Sequence, residues 1–203
     1  MFVSRSCCAV CLKPLPVCIC HLFVKTVNRI KLVVLQHPKE VGHSKGSLPL
    51  LLGSLTNIEV LEGECFDGND ELQEIINHYQ NRIILLYPSD NAKLVNDIQI
   101  ETEKNSAVDC IILLDATWRK AYKMFQSSAI LQTLPTAKLP EDVESHYLIR
   151  KTKKDNALST LEAACIALAT FEQSDNKYQP LINSFRRFNE IQLSYRTKKE
   201  SDN

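Results

Sequence analysis

Apolar residues run along this chain in two rhythms. Lys31–Gln36 (KLVVLQ), Arg82–Tyr87 (RIILLY) and Cys110–Leu114 (CIILL) are short, nearly unbroken apolar runs, the pattern of strands buried on both faces. Ile58–Leu61 is a weaker strand segment. Elsewhere the spacing turns helical. Leu72, Ile75, Ile76 and Tyr79 mark one face of a helix over 70–80, and Leu161, Ala164, Cys165, Leu168 and Phe171 do so over 159–172. Leu181, Phe185, Phe188 and Ile191 mark a third helix over 178–195, and Ser47–Leu55 has the length of a short one. Alternating strands and helices, with strands this apolar, predict an α/β fold: a mostly parallel sheet covered by helices on both faces. Residues 1–22 show neither rhythm and are rich in Cys and Pro. The expected organisation is an N-terminal knuckle over 1–28, a main domain over 29–196, and a charged tail over 197–203 that lacks apolar anchors and is expected to fray.

With 203 residues, 44% of them hydrophobic, the chain supports one substantial core. Lys+Arg and Asp+Glu both number 24, so overall charge selects no partner, but its distribution is uneven. Residues 1–39 carry six bases (Arg5, Lys13, Lys25, Arg29, Lys31, Lys39) and no acid, whereas 57–109 carry twelve acids against three bases. That asymmetry predicts that a polyanion meets one face and not the other. No stretch approaches the ~20 apolar residues of a membrane span. The start, MFVSRSCCAV, has no charged and then apolar leader. A cytoplasmic protein without a membrane partner is expected, and there eight cysteines need an explanation other than disulfides. Cys65, Cys110 and Cys165 lie apart in apolar surroundings and read as core thiols.

The remaining five cysteines crowd into residues 7–20, with the spacing Cys8-x2-Cys11-x6-Cys18-x-Cys20. Four thiolates this close in sequence can close a tetrahedral shell around Zn2+ with no position left for water, a structural site. Pro14 and Pro16 stiffen the connecting loop. Cys7 leaves the first ligand open, since Cys7-x3-Cys11 is an alternative pairing. A redox Cys-x-x-Cys would need to open a helix in a βαβ unit, and Pro-rich sequence follows here instead.

In open α/β sheets, ligands bind beyond the carboxyl ends of the strands. Three such ends are polar here: His37-Pro38-Lys39-Glu40, Pro88-Ser89-Asp90 and Asp115-Ala116-Thr117-Trp118. Each residue alone has a purely structural explanation. Asp115 is a good helix N-cap, and Trp118 shares a helical stripe with Ala121 and Phe125. Together they offer a carboxylate, a hydroxyl and a flat aromatic surface, a set suited to a cationic ligand carrying an adenine. Ser159-Thr160-Leu161-Glu162 has capping-box spacing, and such a helix start also holds carboxylates. Arg150, Lys151, Lys153 and Lys154 form a basic run that suits phosphates beside a ligand loop.

These motifs, in this order, resemble one family. Arg5-x2-Cys8-x2-Cys11-x2-Pro14-x3-Cys18-x-Cys20, Gln36-His37-Pro38-x-Glu40, Leu86-Tyr87-Pro88, Asp115-x-Thr117-Trp118-x2-Ala121 and Leu158-Ser159-Thr160-x-Glu162-Ala163 look like the DTW-domain proteins, from residue 5 to about 170. The resemblance implies a SPOUT-like, trefoil-knotted fold. It implies a tRNA-uridine aminocarboxypropyltransferase that uses S-adenosylmethionine as co-substrate to make acp3U on tRNA. On that reading Asp115, Thr117 and Trp118 are catalytic. Leu86, Tyr87 and Pro88 hold the cofactor together with Asp115, Trp118, Ser159, Thr160 and Glu162. His37, Lys39, Arg150 and Lys151 meet RNA, and Cys8, Cys11, Cys18 and Cys20 hold structural zinc. Three rivals remain: a SPOUT-like methyltransferase using the same cofactor, a non-catalytic zinc-containing RNA-binding protein, and a thiol oxidoreductase with a labile Cys8–Cys11 bond.

Overall fold

The apolar runs become strands. A computed structural model describes residues 6–43, 46–102, 107–140 and 158–201. Strands β1 (Lys31–Gln36), β2 (Ile58–Glu62), β3 (Ile83–Leu86), β4 (Lys93–Leu94), β5 (Cys110–Asp115) and β6 (Thr136–Lys138) form one sheet in the order β2-β1-β5-β3-β6-β4. Every pairing between them is parallel. β1, β3 and β5 are buried along most of their length, as their composition requires of central strands. β2 buries only Leu61 and carries Glu59 and Glu62, charges that suit an edge.

The pleat sends alternate residues to opposite layers. Leu32, Val34, Ile84, Ile111, Leu113 and Ala137 face one cluster. That cluster also holds apolar residues of α1 (Leu48–Ser54), α3 (Val95–Thr102), α6 (Thr160–Phe171) and α7 (Gln179–Ser201). Val33, Leu35, Ile83, Leu85, Cys110 and Ile112 face the other, with Leu72 of α2 (Asp70–Tyr79), Met124 of α4 (Trp118–Ser127) and Leu131 of α5 (Ala129–Gln132). Crossings toward the β2 edge use α1 and α3 on the first face. Crossings the other way use α2 and α4–α5 on the second, as a single hand of crossover demands.

Residues 6–23 are packed into this body. Cys11, Ile19 and Leu22 are buried in the same cluster as α1 and α7, the Ser184 hydroxyl donates to the Leu22 carbonyl, and Lys13 lies 5.4 Å from the Phe188 ring centre. Burial holds the Lys13 ammonium below its ordinary range. Asn28 ties the knuckle's exit to the sheet. Its side chain donates to the carbonyls of Ile30 and Asn57 and accepts from the N–H groups of Thr56 and Asn57.

Two expectations change. α7 continues to Ser201, into the 197–203 segment, whose Lys and Glu are good helix formers. Part of the acid–base asymmetry in sequence is cancelled in space. Arg29 pairs with Asp109 at 2.9 Å and Lys31 with Glu59 at 2.8 Å, and Lys13 is buried, so Lys25 and Lys39 are the exposed bases left among the described residues of that segment. No described helix is long and apolar enough to cross a membrane.

Candidate functional site

β1 and β5 lie side by side in the middle of the sheet, and Gln36 is level with Asp115. The chain leaves β1 over the first face and β5 over the second. Their shared carboxyl edge is therefore a topological switch point, where the loops part and leave a crevice. Asp115 ends β5 at this point. Its Oδ2 accepts from Gln36 Nε2 at 2.8 Å and its Oδ1 from the Thr160 hydroxyl at 2.7 Å. Three segments far apart in sequence thus fix one half-buried carboxylate. It is not the helix cap. Asp115 still belongs to the strand, and Thr117 occupies the N-cap position of α4 without a side-chain cap bond.

Thr160 opens α6, and the start of that helix is rigid. The Ser159 hydroxyl accepts from the Glu162 N–H, and Glu162 Oε2 accepts from the Ser159 N–H and hydroxyl at 2.8 Å each. Ser159 and the buried Glu162 are spent on one another, and what they deliver is the placement of Thr160. Leu86, the last residue of β3, pairs with Leu113 in the neighbouring strand, two residues before Asp115. The Tyr87 N–H is committed to the Ala137 carbonyl at 2.8 Å. Hydrogen bonding to a ligand from this turn therefore falls to carbonyls. The Tyr87 ring stacks on Phe125 of α4, centres 4.4 Å apart, and burial raises its hydroxyl above the ordinary range.

Trp118 is no core residue. Ala121 and Met124 are the buried positions of α4, while Trp118 stands exposed at the mouth of the site. His37 goes the other way. It is buried, its Nδ1 accepts from the Lys39 N–H at 3.0 Å, and its Nε2 lies 3.3 Å from Glu64. A hydrogen bond from Lys123, with the field of that ammonium, holds the Glu64 carboxyl below its ordinary range. Lys39 is exposed, and Glu40 beside it accepts from Lys120 of α4 at 2.6 Å. Arg150 and Lys151 lie outside the described residues, as do Lys153 and Lys154. Gln36, Glu64 and Lys120 join the site without having been assigned a role from sequence. Gln36 stood in a quoted motif, but only strand pairing shows what it touches.

The four cysteines converge on the far side of the first layer. The sulfurs of Cys8, Cys11, Cys18 and Cys20 all lie within 4.8 Å of one another, with Cys8–Cys20 at 3.6 Å and Cys11–Cys18 at 3.7 Å. Zinc–sulfur bonds of about 2.3 Å in a tetrahedron put sulfurs about 3.8 Å apart, so this donor set fits zinc. Backbone N–H groups of Cys11 and Val10 hold the Cys8 thiol down at about 6. Desolvation and the neighbouring sulfurs push Cys20 up to about 12. Four adjacent thiolates repel unless a cation sits among them. Cys7 pairs in a β-bridge with Pro14 and stands outside the cluster.

The domain described as "DTW domain" matches residues 5–193. The mouse tRNA-uridine aminocarboxypropyltransferase 2 is 26% identical over 192 residues, which cover 93% of this chain and 64% of the mouse protein. The protein of that name from Drosophila melanogaster is 30% identical over 196 residues, covering 93% of this chain and 76% of its own length. The tRNA-uridine aminocarboxypropyltransferase A of Arabidopsis thaliana is 21% identical over 220 residues, covering 94% and 82%. The chain thus spans just under two thirds of the mouse relative and more of the other two. No solved structure matches it. With a match that takes in the cysteine knuckle, the switch-point carboxylate and the capped start of α6 alike, the chain belongs to the DTW-domain family.

Proposed function

We propose that this protein transfers the 3-amino-3-carboxypropyl group of S-adenosylmethionine to N3 of a tRNA uridine, in the cytoplasm. The observation that carries the reading is the Asp115 carboxylate, held at the switch point by Gln36 and Thr160. The names of the relatives support the reaction class. In the reaction, uridine N3 forms a bond to the methionyl γ-carbon while the carbon–sulfur bond breaks. The bonding pair leaves with sulfur, giving neutral methylthioadenosine, and the N3 proton is released. The sulfonium is its own good leaving group, so the protein's part is chiefly orientation.

Asp115 faces two tasks: accepting the N3 proton, or holding the ammonium of the group in transit. Both of its oxygens already accept a hydrogen bond, which favours the second, since a carboxylate fixed by two donors is a ready counter-charge. Carbonyls of the Leu86–Pro88 turn and the backbone at Trp118 suit the adenine, and the start of α6 suits the methionyl carboxylate. The cysteine knuckle would hold zinc structurally, closing a segment too short to build its own core.

A SPOUT-like threaded topology is part of this proposal, and strand order supports it. β6 lies between β3 and β4, which are consecutive in the chain and joined by residues 87–92 alone. The chain enters β6 from the α5 layer, and the next described helix, α6, lies in the opposite layer, as a threaded topology requires.

The decisive test is nucleoside mass spectrometry on tRNA incubated with the protein and S-adenosylmethionine. An aminocarboxypropyl adduct on uridine, with methylthioadenosine released, is expected. A methyl adduct would make the protein a methyltransferase, and no adduct would remove the catalytic reading.

A further inference from the structure

One surface beside the site has no part in the chemistry above. α4 turns Ala121 and Met124 inward and lays Phe125 on Tyr87. Its outer face carries Trp118 and Tyr122, 61% and 59% exposed. Among residues 6–140 and 158–194 no other Trp, Tyr or Phe ring with described burial is predominantly exposed. The two are four residues apart and therefore neighbours on one helix face. Large rings left in water forgo burial, and two together three residues beyond Asp115 point to a ligand rather than to scatter.

The flanks of this face are basic. α4 contains Arg119, Lys120 and Lys123 and no acid. Lys120 is tied to Glu40. The Lys123–Glu64 pair is 69% and 41% exposed, an exchangeable contact for which a phosphate can compete. Lys39 precedes Glu40, which accepts from Lys120 of α4, so a further exposed base lies along this edge. Phe125 of the same helix stacks on Tyr87, so α4 borders the β3 turn. Rings to stack on, bordered by cations, suit unpaired nucleic-acid bases and their phosphates.

We propose that the outer face of α4 is a stacking platform for single-stranded RNA. Trp118 and Tyr122 receive unpaired bases next to the target uridine, and Arg119, Lys123 and Lys39 meet the flanking phosphates. This rests on the reading of the substrate as RNA and names the surface that receives it.

Trp118 is the single tryptophan of the chain, so its emission reports the platform directly. The zinc-loaded full chain is titrated, without S-adenosylmethionine, with a uridine-containing tRNA-loop oligonucleotide and with a fully paired RNA duplex. Binding is followed separately by the anisotropy of labelled RNA. The loop is expected to quench Trp118, and the duplex is not. Tyr122→Ala should weaken loop binding by roughly 5- to 100-fold, the range that loss of one base–aromatic stack produces, while Tyr122→Phe retains it. Unchanged emission at saturating loop RNA overturns the platform. So does equal quenching by the duplex, or equal quenching by S-adenosylmethionine alone, which would assign the ring to the cofactor. Loss of binding in both Tyr122 variants also counts against stacking. Nucleoside mass keeps the two readings apart. Quenching without an adduct leaves the platform and removes the transferase, and an adduct without quenching does the reverse.

Discussion

At the scale of single residues, the candidate site turns on one charge. Asp115→Asn keeps the shape and, with either the Gln36 amide turned over or the Thr160 hydroxyl rotated, keeps both hydrogen bonds. A cap role would make this change silent, because Asn caps as well as Asp, but Thr117 holds the cap position. Transfer to tRNA should therefore fall by roughly 10- to 150-fold, the about 1.5–3 kcal/mol of a hydrogen bond to a charged group, with melting temperature almost unchanged. A stable variant with wild-type activity would return Asp115 to a structural role. Glu172 shows the opposite balance. It accepts from the N–H groups of Arg29 and Ile30, from Tyr178 at 2.8 Å, and from Lys177. Burial alone would raise its carboxyl, but these partners outweigh burial and hold it below its ordinary 4.5. A depressed folded value contributes stability that is present above 4.5 and lost as pH falls through it. Glu172→Gln should cost about 2–4 kcal/mol at neutral pH, roughly 5–10 °C in melting temperature for a chain of this size. The gap to wild type should narrow as pH drops below 4.5. A gap that stays constant with pH would show the clamp to be steric rather than ionic.

At the scale of elements, the cysteine knuckle and α7 support one another. Cys11, Ile19 and Leu22 complete a hydrophobic cluster with Phe185 and Phe188, so metal loss should propagate into the main core. Purified protein should carry about one zinc per chain, and Cys18→Ser should remove the metal and lower melting temperature together. A variant that loses zinc yet melts like wild type would show the site to be dispensable for the fold. The strands and long helices were legible as elements because apolar runs and helical spacing are local properties. β4 and β6 were not. Two- and three-residue strands such as Lys93–Leu94 and Thr136–Lys138 carry no periodicity, and they exist only because neighbouring strands accept their backbone bonds.

At the scale of the whole molecule, net charge is zero, and of the described N-terminal bases Arg29 and Lys31 are paired with acids and Lys13 is buried. RNA affinity must then come from local patches rather than from an overall field. Affinity for tRNA should fall steeply with salt, by about 0.7–0.9 in log–log slope for each phosphate contacted. Reversing Lys151 and Lys153 to Glu, in the basic run outside the described residues, should flatten that slope while leaving S-adenosylmethionine binding intact. Binding insensitive to salt would sink the electrostatic account.

What the sequence by itself determined is what neighbours in the chain decide. It specified parallel buried strands from KLVVLQ, RIILLY and CIILL, the capping box at Ser159 and Glu162, and a cysteine spacing that fits zinc. It also pointed to the carboxyl end of the CIILL strand as the place to look. Only the tertiary structure decided that β1 and β5 are neighbours, and hence that Gln36 and Thr160 grip Asp115 from 79 and 45 residues away. It buried His37 and exposed Trp118, and it cancelled part of the charge asymmetry by pairing Arg29 and Lys31 with distant acids. The physical reason is the same in each case. Periodicity records which face of an element is apolar, whereas strand order and long-range pairing depend on how whole layers close around the core, and local pattern does not encode that.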